Sequence, residues 1–250
     1  MVRVLGINGS PRKYGGVAAL LEVALEAARR EGATTEMVHL VDYRIEPCIG
    51  CLSDEDTVCR PPCVIKDDMR KLYPLIEAAD ALIFATPVYW YGPSGLFKNF
   101  FDRLTVFENL ILIEGRSRLE GKVAALIAVG NEAGVIATTA PLLTALVHMG
   151  LAVPPWGFTY FNEPRNPLSD PLTVLDAANL GRCVVLLTKA LKAASPPYWY
   201  SPNIEWLPSA IKGILRSLDQ LRFKQLQKRK ISFDRVLKKK NKLRDADGGE

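Results

Sequence analysis

The chain has 250 residues, 48% of them hydrophobic and 24% charged, enough apolar material for one full core with or without an extension. It holds no run of about 18 uncharged apolar residues, which excludes a helical membrane span. The opening Met1-Val2-Arg3-Val4 reads as a strand and not as a secretory leader, so an intracellular, cytoplasmic protein is expected.

Residues 2–7 form a nearly continuous apolar run and predict a buried strand. A glycine-rich basic loop follows over 9–16, then an amphipathic helix over 17–30. Residues 34–40 predict a second strand. Residues 43–66 read as a long loop carrying Cys48, Cys51, Cys59 and Cys63. A helix is expected over 67–78, with Asp67 and Asp68 placed to cap its start. A third buried strand covers 81–86, a loop 87–95, and a helix 96–107 with Phe97, Phe100 and Phe101 inward. A fourth strand covers 123–129, a loop 130–134 and a helix 136–149. A fifth strand is expected within 151–160 despite Pro154 and Pro155, and a last helix over 171–192, with Cys183 as a buried core thiol.

Strict alternation of strand and helix predicts a doubly wound α/β domain: a five-stranded parallel sheet between two helical layers, three layers α/β/α. Ligands of such sheets bind beyond the carboxyl ends of the strands. The loops of unusual composition, at 9–16, 43–66, 87–95 and 130–134, all fall there, which points to one shared site.

Charge divides the chain differently. The net is +5, yet residues 212–244 carry thirteen Lys and Arg against Asp219 and Asp234, a net of +11, and the remainder sums to −6. Residues 1–194 are therefore read as the α/β domain and 195–250 as an extension. That extension comprises an arm over 195–208 with four prolines and four Trp or Tyr, then a basic helix over 209–244. Ile211, Leu215, Leu218 and Leu221 share one face of that helix, and only 245–250 read as unstructured. The tail is expected to pack on a partner subunit. Nucleic-acid binding through clustered cations is the alternative.

The loop Gly9-Ser10-Pro11-Arg12-Lys13-Tyr14-Gly15-Gly16 between a strand and a helix presents free backbone N–H groups at a helix N-terminus, a site for phosphate. Ser10 can add a hydroxyl and Arg12 a charge-assisted bond. The pattern is neither a nucleoside-triphosphatase P-loop nor G-x-G-x-x-G. Tyr89, Trp90 and Tyr91, bounded by Pro87 and Gly92, offer planar faces to a ring at the same sheet edge. A phosphate at one end and a flat ring at the other outline flavin mononucleotide (FMN).

With these motifs, together with Pro47-Cys48-Ile49-Gly50-Cys51, Cys63-Val64-Ile65-Lys66-Asp67-Asp68-Met69 and Phe101-Asp102-Arg103, the chain resembles the NAD(P)H-dependent FMN reductase and iron-sulfur flavoprotein family over residues 1–192. The resemblance implies a flavodoxin-like fold. It implies that Ser10, Arg12, Gly15, Gly16, Val17 and Ala18 hold the FMN phosphate. Pro87, Val88, Tyr89, Trp90, Tyr91 and Gly92 would flank the flavin ring, and the 130–134 loop with Gly130, Asn131 and Gly134 would close over its other side. Tyr14, Gly16 and Val17 stand where the family carries two amides and a hydroxyl, so Ser10, Arg12 and the backbone would hold most of the anion.

The cysteines read C-x2-C-x7-C-x3-C, four within sixteen residues. In the iron-sulfur members the spacing is more compact. Cys48, Cys51 and Cys63 match positions of that pattern, and Cys59 lies in an apparent insertion. A [4Fe–4S] cluster, zinc, a disulfide or free thiols all remain open for these four.

The expected function is a flavoprotein oxidoreductase that passes electrons from NAD(P)H to a flavin, quinone or other acceptor. No side-chain acid or base is assigned, and His39 and His148 read as structural. A homodimer or homotetramer is expected. Two alternatives stand: an iron-sulfur flavoprotein electron carrier without a small substrate, and a non-enzymatic nucleic-acid or partner-binding protein on a flavodoxin-like body.

Overall fold

The computed structural model describes residues 1–195, 199–201 and 203–246, with side chains as far as Lys239. Pro196, Pro197, Tyr198 and Pro202 of the expected arm, and 247–250 at the end, lie outside the described residues. Two compact units are present, residues 1–200 and 201–250.

Five parallel strands build the first unit: β1 (Val2–Asn8), β2 (Ala33–His39), β3 (Ala81–Tyr89), β4 (Val123–Gly130) and β5 (Phe158–Asn162). Their order is 2-1-3-4-5, that of flavodoxin-like doubly wound sheets. Ile7 stands opposite Val38 and Phe84, Phe84 opposite Leu126, and Ile127 opposite Thr159. The helices are α1 (Gly16–Arg30), α2 (Met69–Ala78), α3 (Gly95–Asp102), α4 (Thr105–Glu108), α5 (Leu110–Glu114), α6 (Val135–His148) and α7 (Pro171–Ala194).

Alternate residues of the buried strands feed two cores, as a period of two requires. Ala81, Ile83 and Ala85 of β3 pack with Leu21, Leu25, Leu180 and Val184 of α1 and α7. Leu82 and Phe84 pack with Leu72, Ile76, Phe97, Phe100, Phe101 and Leu146 on the other face. The three-layer arrangement follows. α1 and α7 cross so closely that a Cβ on Gly181 would stand 1.9 Å from the carbonyl oxygen of Ala24, so only glycine fits there.

Four expectations need correction. β3 runs to Tyr89 and does not stop at Thr86. β1 pairs with it only as far as Ala85, so Pro87 sits where one side of the strand is an edge and a missing N–H is tolerated. The fifth strand starts at Phe158. Ala152 makes one isolated bridge to Val123, and Pro154 and Pro155 hold the chain off the sheet until then. The helix expected over 96–107 is broken at Arg103, which turns its side chain inward, and continues as α4 and α5. Cys183 is half-buried, not buried.

In the second unit, α8 (Leu207–Ala246) runs for 40 residues and takes in Asp245 and Ala246 of the end expected to be unstructured. From Leu207 to Lys239 every side chain is exposed except that of Ala210.

Candidate functional site: a phosphate cradle beside an aromatic hairpin

The cradle is built around Asn8, the last residue of β1, which is fully buried. Its Oδ1 accepts the Ser10 N–H at 3.0 Å and its Nδ2 donates to the Lys13 carbonyl at 3.1 Å. These two bonds fix the amide's orientation. Nδ2 also lies 2.9 Å from His39 Nδ1 at the end of β2, so that nitrogen must be the acceptor and His39 must be neutral. Burial pushes the His39 pKa below its ordinary value, and the Lys13 charge adds to this against an opposing pull from Asp42.

Ser10 is buried, and its Oγ accepts the Arg12 N–H at 3.1 Å. Its hydroxyl hydrogen is left to donate. Gly15 caps α1 in an extended conformation, with no side-chain cap and no acidic residue in the first turn. The N–H groups of Gly16, Val17 and Ala18 therefore face outward without intrahelical partners, at the positive end of the helix dipole. Of the two adjacent cations, Lys13 is taken by Asp42 at 2.6 Å, while Arg12 makes no ion pair among the described residues. Tyr14 is exposed.

The aromatic loop is a hairpin. β3 ends on it, with Val88 opposite Pro93 and Tyr89 opposite Gly92. Trp90 and Tyr91 form the turn at φ of 51° and 63°, left-handed values that suit Asn-Gly and strain aromatic residues. The Trp90 side chain is in open solvent, 97% exposed. Ser94 ties the hairpin to the cradle. Its Oγ donates to the Gly9 carbonyl and accepts the Phe97 N–H, capping α3. Gly134, at φ 90°, lies against Tyr91, where a Cβ would come within 3.1 Å of the Tyr91 Cα.

Ten predicted residues from three loops line a single concavity of about 160 Å³. Ser10, Arg12, Gly15, Gly16 and Val17 come from the first loop, Pro87, Val88 and Tyr89 from the second, and Gly130 and Asn131 from the third, with Val129 added. Ala18, Trp90, Tyr91, Gly92 and Gly134 are not in its wall. The concavity contains no carboxylate, and its one charged side chain is Arg12. Its donor set suits an anion of phosphate size. At the rim, Asn162 donates to the Glu132 carbonyl while its Oδ1 is buried and unpartnered.

The cysteine loop is pinned at its ends. Arg103 and Asp67, both 1% exposed, form a two-pronged ion pair at 2.6 and 3.2 Å. Arg103 also donates to the Glu46 carbonyl at 3.0 Å, and Asp67 accepts the N–H groups of Glu46 and Met69. Glu46 and Asp67 bracket the cysteines, so one buried pair closes the loop onto the end of α3. Burial pushes the Asp67 carboxyl up, but the guanidinium and the Glu46 N–H outweigh it and hold the pKa below the usual range. Asp67 is thus mainly an ion-pair partner, although its Oδ1 also caps the first turn of α2. Asp68 makes no cap bond there and accepts from Arg44 instead. Asn109, also buried, donates to the carbonyls of Asp56 and Cys59.

Within the loop, Cys59 and Cys63 are buried, Cys51 half-buried and Cys48 exposed. Burial pushes the Cys59 thiol up to about 12, with further contributions from Cys51, Cys48 and Cys63. Cys59 thus feels each of the other three thiols. Among the described residues, however, no three His, Cys, Asp or Glu side chains are gathered as a metal site.

Sequence reasoning missed Asn8, Ser94, Asn109 and Asn162. Ser94 carried a readable signal, standing three residues before Phe97 at a helix start. The three asparagines carried none.

A family profile described as NADPH-dependent FMN reductase matches residues 2–163. An iron-sulfur flavoprotein of Methanocaldococcus jannaschii is 30% identical over 203 residues, 76% of this chain and the whole of that one. An iron-sulfur flavoprotein of Archaeoglobus fulgidus is 35% identical over 115 residues, 46% of this chain, and the match spans only about half (51%) of that relative's length. Among solved structures, RosB with bound 8-demethyl-8-formylriboflavin-5'-phosphate superposes with a TM-score of 0.68 at 21% identity, covering 85% of this chain and 87% of that one. A likeness at that identity speaks to the fold alone.

Proposed function

The chain belongs to the NADPH-dependent FMN reductase family, and from that premise we propose that it binds FMN and acts as an NAD(P)H-driven oxidoreductase, passing electrons to a flavin, quinone or similar acceptor. The observation that carries the reading is the convergence of Ser10, Arg12 and the open start of α1 on one carboxylate-free concavity. At about 160 Å³ this space is smaller than a whole-ligand pocket. It suits the phosphate end, with the ring lying outside against the hairpin of Tyr89, Trp90 and Tyr91.

Bound FMN supplies the hydride and electron chemistry. The chain's own residues do the positioning. Ser10 and the N–H groups of Gly16 and Val17 would donate to the phosphate, with the Ala18 N–H behind them in the same helix turn, and Arg12 would neutralise it. Asn8 holds the loop in the shape that aims these donors. The hairpin and the 130–134 loop flank the ring and limit its contact with water. No side chain near the concavity is required to move a proton.

The test is a fluorescence titration of the apoprotein with FMN and with riboflavin, followed by NAD(P)H oxidation. FMN should bind much more tightly than riboflavin, and the reconstituted protein should oxidise NAD(P)H. A colourless protein that cannot be reconstituted would overturn the reading.

A second part of the proposal concerns Cys48, Cys51, Cys59 and Cys63 as ligands of a [4Fe–4S] cluster. Its support is the presence of four cysteines in one loop, with Cys59 influenced by the other three, and the iron-sulfur flavoproteins among the relatives. As arranged they do not form a cluster site, so no step is drawn through one. Binding would require the loop to gather its sulfurs and the Cys59 thiol to lose its proton. Iron and sulfide analysis of anaerobically prepared protein tests this directly, and metal-free protein after anaerobic reconstitution would dismiss it.

A further inference from the structure

The second unit carries a surface that flavin chemistry does not use. Over 207–221 of α8, Leu207, Ile211, Ile214, Leu215, Leu218 and Leu221 fall within an arc of about 120° at 100° per residue, and no other residue of that stretch falls inside it. All six are exposed, between 40% and 58%. The following stretch, 222–239, holds eight Lys or Arg and one acid, Asp234. The helix is therefore uneven along its length: an uninterrupted aliphatic stripe first, then a polybasic segment in which Phe223, Leu226, Ile231, Phe233, Val236 and Leu237 are also exposed but no longer confined to one face.

We propose that α8 lies in the interface of an anionic lipid bilayer, with the stripe of 207–221 sunk at the acyl boundary and the cations of 222–239 against the headgroups. Stable attachment to a membrane surface takes two signals, apolar burial and charge attraction, and this helix supplies both. No helix of the described residues is long and apolar enough to cross a membrane, so the attachment is peripheral.

Two other occupants fit less well. Pairing with α8 of a second copy would use the 4-3-4-3 spacing of Leu207, Ile211, Ile214, Leu218 and Leu221. That seam lasts only two heptads, short of what a coiled coil needs. Its next positions are Gln225, Lys228, Ser232 and Arg235, none of them apolar, and Lys228 and Arg235 would bring like charges together. Nucleic acid would satisfy the cations but leave six aliphatic side chains in water.

The experiment is co-sedimentation of the full chain with vesicles of phosphatidylcholine alone and of phosphatidylcholine mixed with phosphatidylglycerol. Binding is expected only to the mixed vesicles, weakening as salt rises. Leu215→Glu with Leu218→Glu should cut the affinity at least about tenfold. Lys228→Gln, Arg229→Gln and Lys230→Gln together should cut it about a hundredfold. Circular dichroism and FMN binding check that each variant is folded. The proposal fails if neither vesicle is bound, or if the leucine variant binds mixed vesicles like the parent. It also fails if the chain binds duplex DNA tightly while leaving vesicles alone, or if the leucine variant only halves the mass in solution without changing sedimentation with vesicles.

Discussion

The loop after β1 and the cysteine loop after β2 leave the same sheet, yet they are held differently. The first is fixed from within, because Asn8 reaches into its middle and bonds Ser10 and Lys13, and Ser10 in turn bonds Arg12. The second is fixed chiefly at its base, by Arg103 and Asp67, with a single inner brace from Asn109 to the Asp56 and Cys59 carbonyls, and among the described residues its sulfurs are not gathered as a metal site. A loop braced inside is shaped before its ligand arrives, at little cost in binding. A loop braced chiefly at its base leaves more of its inner shape to be set on binding.

The largest effect that can break this contrast is at Arg103. Arg103→Leu leaves Asp67 buried and unpaired and should lower stability by about 3–5 kcal/mol, read as a fall in the denaturant midpoint. Adding Asp67→Leu should recover much of the loss. If the single variant still folds, it should keep FMN affinity while losing order around the cysteines. Loss of both together would mean that the loops are not independent.

Next in size, Arg12→Ala removes the cradle's unpaired cation. A charge-assisted bond is worth about 1.5–3 kcal/mol, so FMN affinity should drop about tenfold to a hundredfold with riboflavin affinity unchanged.

A smaller effect comes from pH. The folded pKa of His39 lies below its ordinary value, so the unfolded chain takes up the proton more readily. The contribution of neutral His39 is complete above about pH 6.5 and is lost as pH falls through the folded value, when an imidazolium would face the Asn8 amide donor. Melting temperature of the apoprotein should decline over that window, and less so in His39→Gln. A profile identical in the two proteins would remove His39 from the bracing.

The smallest effect is at the hairpin. Trp90→Asn relieves a left-handed aromatic with no packing to lose, and should stabilise the apoprotein by about 0.5–1 kcal/mol while weakening FMN binding.

Much of the fold was legible because its signals are local. Apolar runs marked the first four strands but reached only the start of the fifth, and Phe97, Phe100 and Phe101 declared the buried face of α3 by spacing alone. Ser10 and Arg12 were legible because such residues in a glycine-rich loop between a strand and a helix have few other uses, and the other eight predicted wall residues followed from the family resemblance. The bracing was not. Asp67 looked like a helix cap because its true partner lies 36 positions away, and pairings of that range leave no mark on either neighbourhood. Pro87 looked like a strand end because one-sided pairing is a property of the sheet, not of the segment. Asn8 resembled any polar residue closing a strand.

The Ser94 hydroxyl bridges the Gly9 carbonyl and the start of α3, so the anion jaw and the aromatic jaw are set on one rigid frame. On the proposed FMN reading such a frame would work as a caliper, setting the distance between a charge and a plane and selecting ligands by length as much as by chemistry. Ser94→Ala would leave both jaws intact and loosen the gauge between them, so that homologues of FMN with a longer or shorter side chain would no longer be told apart.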